Sequence, residues 1–409
     1  MMDVLIVSNS FPYPPYDGSK LALFNLIKNL APRHDIDLIA FFDQQELAVN
    51  EEKIVKYCKN CDIVLSKERY SKFEKALFNL SWRPYIVVKK FSKRMNELVK
   101  VRISNKHYDI IHFDGFGMLP YGLSIDKIPR IAFVLDAVSL YFRRNIFTEK
   151  KLNKKLSYLS EFLKMKMYEK RLYDKFERCV VVSKVDKSAL QRNCPGARIS
   201  VVPVGVDTKY YAPTPGRERF PSILFSGNMD FPPNVHAVLW FVQNVWPSLK
   251  EKCSNLKFYI AGRNPSPEIT RLRKDKKIKI TGFVEDIRPF FDRTTVYVCP
   301  MISGAGMKNK LLEAMAMKKA IVASPLSIQG ISDVEKENCL IIAKDPNEFT
   351  EQVFRLLENH DHRRQLESNA RTFVKDNYSW KTSADKLAQV YQRTIYEYKI
   401  DRGKDNLPN

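Results

Sequence analysis

Two series of short apolar segments, separated by longer amphipathic ones, constrain this chain more than any other feature. The first series reads as strands at 3–8, 36–42, 62–66, 110–114, 130–136, 178–183 and 199–203. The second reads as strands at 222–227, 257–262, 278–283, 296–300, 320–324 and 340–343. Many of these segments are apolar nearly from end to end, the mark of strands covered on both faces. The stretches between them, such as 21–31, carry helical periodicity. Alternation of this kind predicts an α/β fold of doubly wound parallel sheets. A chain of 409 residues also exceeds a single ordinary core. The expected organisation is a domain over 1–204, a linker over 205–220 broken by Gly205, Pro213, Pro215 and Gly216, and a second domain over 221–378. The last stretch of that domain, 345–376, reads as one helix. A terminal helix follows over 379–400, and 401–409 reads as a frayed tail.

Composition narrows the function classes. Hydrophobic residues at 44% and aromatic ones at 12% exclude a disordered chain. Met1-Met2-Asp3 runs directly into a strand pattern, and no stretch approaches the ~20 apolar residues of a membrane-spanning helix. The expected location is therefore cytoplasmic. Seven cysteines include one CxxC, Cys58-Lys59-Asn60-Cys61, without a second pair or a nearby histidine. A structural zinc site needs about four ligands, and the six histidines show no paired spacing, so no metal is predicted. The net charge of +22 is uneven: residues 51–200 hold 33 Lys/Arg against 16 Asp/Glu. Such a field attracts nucleic acid or an anionic membrane.

The most informative single stretch is Gly304-Ala305-Gly306-Met307-Lys308-Asn309-Lys310-Leu311-Leu312-Glu313-Ala314-Met315-Ala316, which follows the strand pattern at 296–300. A helix starting here opens with unpaired N–H groups and the positive end of its dipole, and glycines let a ligand approach the backbone. Lys308 and Lys310 place two cations where the dipole disfavours them. A bound anion accounts for both; an ordinary loop with two solvated lysines is the competing reading. Glu313 is placed to accept hydrogen bonds from a sugar or ribose diol. Three further loops end strands on the same predicted side: Ser226-Gly227-Asn228, Gly262-Arg263-Asn264-Pro265 and Gly282-Phe283-Val284-Glu285-Asp286. Arg263 suits a base or a phosphate, and the backbone of Phe283 and Val284 suits the edge of a base. The loop after the first strand, Asn9–Lys20, is rich in proline and aromatics and contains Gly18.

With these loops the whole chain, from Val4 to about Tyr391, resembles a GT-B glycosyltransferase of the family 4 group (glycosyl transferases group 1), nearest to sugar transferases associated with exopolysaccharide. The likeness is carried by Pro12-Tyr13-Pro14-Pro15-Tyr16-Asp17-Gly18, Val181-Val182-Ser183, Val201–Asp207, Ser226–Asp230, Gly282–Asp286 and Gly304–Ala316. It implies two Rossmann-like domains facing across a cleft, with a terminal helix crossing back to the first. It also implies a retaining glycosyltransferase that moves a sugar from a UDP- or GDP-sugar to a glycan or lipid-linked acceptor in cell-envelope or exopolysaccharide biosynthesis. No metal or other cofactor is implied. Donor contacts are expected from Gly18, Gly227, Asn228, Arg263, Phe283, Val284, Gly304, Ala305, Gly306, Met307, Lys308, Lys310, Leu311 and Glu313. Lys308 and Glu313 belong to the catalytic set, joined by Asp136 at a strand end, where it orients the acceptor or the sugar.

Two departures stand out. Glu313 matches the second glutamate of the family's E-x7-E motif, but the first falls at Ala305. Asn228–Ala237 also lacks the family's Arg and Lys, so positive charge must come from Lys308, Lys310 and Arg263. A nucleotide-sugar epimerase of the same fold, or a degenerate basic binding protein, are the rival readings. No nucleic-acid module is recognisable. The segment 143–178, with 12 Lys/Arg against 5 Asp/Glu, carries Tyr158, Phe162, Met165, Leu172 and Phe176 at helical spacing. That stripe is either a membrane face or a core face. With Lys89, Lys90, Lys93 and Arg94 it gives the expectation of peripheral contact with the anionic inner face of the plasma membrane.

Overall fold

The computed structural model describes residues 1–15, 17–42, 52–66, 81, 83–149, 151–214, 221–304 and 306–405. The chain forms two compact units: Met1–Pro203 together with the segment from Trp380 onward, and Val204–Ser379. Each is built on one parallel sheet.

In the first unit the strands are β1 (Asp3–Ser8), β2 (Asp35–Phe42), β3 (Asn60–Leu65), β4 (Ile110–Asp114), β5 (Arg130–Leu135), β6 (Arg178–Val181) and β7 (Ile199–Val201), in the order β3-β2-β1-β4-β5-β6-β7. In the second they are β8 (Ser222–Ser226), β9 (Lys257–Ala261), β10 (Ile278–Gly282), β11 (Val296–Cys299), β12 (Ala320–Ala323) and β13 (Ile341–Ile342), in the order β10-β9-β8-β11-β12-β13. All thirteen strands fall where the apolar runs predict them. Most are buried along nearly their whole length, as helices cover both faces. In each sheet the order reverses at one place, between β1 and β4 and between β8 and β11. A doubly wound sheet opens a crevice for ligands outside the strand ends at such a point.

Two expectations about helices change, and one open alternative is decided. The stretch 345–376 is two helices, Pro346–Glu358 and His360–Asn377, parted where the Asn359 side chain accepts from His362 N–H and starts a new helix. The last helix runs on from Trp380 to Asp405, beyond the expected end at 400. The stripe of Met165, Leu172 and Phe176 is buried in the core of the first unit, with Tyr158 and Phe162 half-buried, so it is not a membrane face. Lys90 likewise turns inward, its Nζ donating to the Asn9 carbonyl at 3.1 Å. No helix among the described residues is long and apolar enough to cross a membrane.

The Trp380–Asp405 helix packs on the first unit. Its Tyr391 hydroxyl lies 2.6 Å from His112 Nδ1, deep beneath the sheet. Burial holds His112 down at about 3, so the ring is neutral, and its Nε2 has no hydrogen-bond partner. Removing the Tyr391 hydroxyl strands the second ring nitrogen as well. Tyr391→Phe is expected to cost about 1–3 kcal/mol of stability in urea unfolding, the cost of an unsatisfied buried polar group. No loss would mean that the bond contributes nothing.

Candidate functional site

In the second unit the β8/β11 reversal brings together the loops the sequence singles out. The Asn309–Ala316 helix starts just beyond β11. Lys308 occupies its N-cap position and, having no acceptor, makes no side-chain cap bond. Its Nζ donates to the Gly306 carbonyl at 2.8 Å, which folds the glycine loop over the helix start. Gly304 (φ 101°) and Gly306 (φ 73°) adopt the left-handed backbone that this tight path requires. The Leu311 side chain is core, and its N–H donates to the Lys308 carbonyl at 2.9 Å. Met307 is half-buried against Gly330, and Ala305 lies outside the described residues.

Lys310 points back towards β8. Its Nζ lies 2.5 Å from Asn234 Oδ1 and 4.3 Å from the centroid of the Phe225 ring. Burial, with Lys308 nearby, pushes its ammonium down to about 8. A cation made this acidic by its own surroundings is a site that gains from an anion. Asn234 Nδ2 in turn donates to the Asn228 carbonyl at 2.8 Å, tying the β8 loop to the lysine. Asn234 looks like an N-cap in sequence. In the structure the helix begins at Pro232, and Asn234 is a buried residue of its first turn. Asn228 Oδ1 is buried without a hydrogen-bond partner.

The neighbouring loops interlock. Gly227 N–H donates to the Ala261 carbonyl at 3.0 Å, and Met229 N–H to that of Arg263 at 2.8 Å. Gly262 N–H reaches Thr281 Oγ1 at 3.3 Å. The Arg263 side chain is partly exposed at the end of β9, and Phe283 is 73% exposed past the end of β10, with Val284 half-buried beside it.

Glu313, one turn into the helix, is partly exposed. Burial raises its carboxyl above the ordinary range, while Lys310 and the Tyr211 hydroxyl draw it back. Tyr211 comes from the stretch expected to be a linker. That stretch belongs to the second unit: Val206 N–H donates to the Tyr378 carbonyl at 2.8 Å, and Arg371 donates to the carbonyls of Thr208, Tyr211 and Ala316. Residues 215–220 lie outside the described residues. Tyr210 beside it carries the Arg288 guanidinium 4.2 Å from its ring centroid, and Arg288 pairs with Asp286 at 2.7 Å. Tyr211 and Arg371 are residues that sequence reasoning misses, and Asn234 is one it reads only as a helix cap.

Two predicted residues belong to the first unit. Gly18 opens the Gly18–Leu30 helix, whose first donors are occupied: Asp17 accepts from Ser19 and Lys20 N–H at 3.0 and 2.9 Å. Asp136 follows Leu135, a non-glycine residue at φ 58°, where the β5–β6 register shifts. That kink turns the chain so that Asp136 N–H donates to the Val134 carbonyl at 2.7 Å, and it leaves the side chain partly exposed. At the β1/β4 reversal the buried Asp114 carboxyl is pushed up to about 7 by burial, despite a 2.9 Å bond from Ser8 Oγ. A separate basic groove of 1140 Å³ on this unit, lined by Arg178, Lys184, Lys187, Arg198, Lys386 and Arg393, contains none of the predicted site residues.

Comparison with known proteins bears on the family and the fold. Residues 220–359 match the family described as Glycosyl transferases group 1, and residues 16–210 that described as Glycosyltransferase Family 4. An uncharacterized 44.6 kDa protein from the cps region of Klebsiella pneumoniae is 24% identical over 401 residues, 93% of this chain and 97% of that protein. Sucrose-phosphate synthase from Thermosynechococcus elongatus superposes with a TM-score of 0.71 at 16% identity, covering 97% of this chain and all of that one. HepE from Anabaena, solved with UDP, superposes at 0.67 with 15% identity over 96% of this chain and 100% of that one. The chain belongs to the group 1 glycosyltransferases and has the GT-B fold.

Proposed function

We propose that this glycosyltransferase transfers a sugar from a UDP- or GDP-sugar to a hydroxyl of a glycan or lipid-linked acceptor, with retention at the anomeric carbon and without a metal or other cofactor. The observation that carries the donor reading is the pair Lys308 and Lys310 at an uncapped helix start, one turn from Glu313, at the β8/β11 reversal. The bond from the anomeric carbon to the diphosphate oxygen breaks with its electron pair going to phosphate. The acceptor oxygen bonds to that carbon on the same face, and its proton passes to the departing diphosphate. The enzyme's task is then electrostatic: Lys308, Lys310 and the first helix N–H groups stabilise the charge that grows on the leaving group. Glu313 accepts from the ribose diol, held by Tyr211. Asp136 is assigned to orienting the acceptor or the transferred sugar. The relative from a cps region supports a place in exopolysaccharide biosynthesis, and HepE's complex with UDP supports a uridine donor.

Thermal unfolding against UDP, GDP, ADP and their sugars tests this. One nucleotide family is expected to stabilise the protein, by roughly 2.7 kcal/mol at a hundredfold excess over its dissociation constant. Glu313→Gln and Lys308→Ala should each remove most of that gain, measured against each variant's own unliganded melting point. If every nucleotide leaves the melting point unmoved, the donor site is not here.

A further inference from the structure

The Leu152–Leu172 helix has two apolar faces, and only one is covered. Met165, Tyr168, Glu169 and Leu172 are buried against the first unit. On the other side Leu152, Leu156, Leu159, Leu163 and Met167 are exposed, by 70, 57, 41, 53 and 53%. At ~100° per residue these five fall within an arc of about 80°, centred roughly opposite the buried face. Phe147, near the end of the preceding Val138–Thr148 helix, adds a ring that is 77% exposed. Isolated exposed apolar residues are ordinary, but four leucines and a methionine in register along one helix are not.

The charges around the stripe have one sign. Lys155, Lys166, Lys170 and Arg171 are exposed along its borders. Both carboxylates of the helix are turned away: Glu169 is buried and accepts from Ser139 N–H at 3.1 Å, and Glu161 accepts from Tyr85 N–H at 3.1 Å. A leucine ridge bordered by cations and free of carboxylates matches an anionic lipid surface, with the apolar residues among the acyl chains and the ammonium groups at headgroup level. A second copy of this chain would bring two surfaces of like charge together and is disfavoured for that reason.

We propose that the Leu152–Met167 face of this helix inserts, in the plane of the interface, into membranes containing anionic lipid. The inference goes beyond the donor reading and does not depend on it. The test is co-sedimentation of the full chain with vesicles of phosphatidylcholine alone and of phosphatidylcholine with phosphatidylglycerol, comparing wild type with L156E/L163E. Wild type is expected to bind the anionic vesicles at least tenfold more strongly than the neutral ones, and to keep part of that binding at high salt. The double variant should lose tenfold or more of it. Both positions are exposed, so the variant should fold, and an unchanged melting point and nucleotide-induced shift would confirm that. Vesicle binding lost with the nucleotide shift retained supports the proposal; a lost nucleotide shift in wild type sinks only the donor reading. The proposal is overturned if wild type ignores anionic vesicles, or if L156E/L163E binds them as well as wild type does. It is overturned too if light scattering shows a dimer that L156E/L163E dissolves without any vesicle binding, since a second copy would then cover the face.

Discussion

Lys310→Met is expected to lower the transfer rate by about 10²–10³-fold, the effect of removing one preorganised donor aimed at developing negative charge. Methionine keeps much of the side chain's length and its packing beside Phe225, so the loss would be one of charge. The same lysine makes a second, independent prediction. In the unfolded chain an ammonium titrates near 10.4; in the folded, unliganded site burial brings it down to about 8. Between those values the unfolded chain binds more protons, so this group makes the unliganded protein more stable as pH rises from 8 towards 10. Below pH 8 the site holds a cation at a cost, and a diphosphate offsets that cost. Above pH 8 the lysine must take up a proton for the diphosphate to bind well. Nucleotide affinity should therefore weaken as pH rises past 8, by at most about tenfold per unit, as proton linkage requires. Lys310→Met should bind weakly at every pH and lose this slope. A flat wild-type profile between pH 7 and 9 would show that Lys310 does not face the nucleotide.

How much of this was legible depended on how local each signal is. The strands were readable because strands covered on both faces are apolar along their length, and a run such as Val4–Val7 or Val296–Cys299 admits little else. The glycine loop and Lys308, Lys310 and Glu313 were readable because they lie within one turn and one loop. Asn234 was visible but misassigned, since an Asn after two prolines looks like a cap until the helix is seen to begin at Pro232. Tyr211 and Arg371 were not readable at all: they meet across a separation of 160 residues, and nothing near either position announces the other. The break at Asn359 has neither glycine nor proline to mark it. The Leu152–Leu172 helix shows the limit most directly. It carries apolar residues at helical spacing on two faces, and periodicity cannot say which one the core takes. The stripe that reads as either a membrane face or a core face is the core face, and the apolar residues left exposed lie on the other side of the helix.

Gly262→Ala tests whether the interlocked loops shape the site. Gly262 sits at φ 148°, and a Cβ there would lie 1.7 Å from the Gly227 carbonyl oxygen and 2.8 Å from its carbon. The obstacle is backbone, so no rotamer relieves it. The β8 and β9 loops must therefore part, breaking the bonds that join Gly227 to Ala261 and Met229 to Arg263. Strain of this kind and the lost bonds together are expected to cost about 3–5 kcal/mol. The protein that remains folded should bind nucleotide poorly, since the moved loop carries Asn228 and with it the anchor of Asn234. Gly282→Ala is the control. It also has a left-handed backbone, at φ 71°, but nothing lies within 4 Å of its added Cβ. It should lose only the conformational cost of roughly 1–2 kcal/mol. Chemical denaturation of the two variants separates a steric lock from a backbone preference, and equal, mild losses would mean that the two loops move apart easily and do not set the position of Lys310.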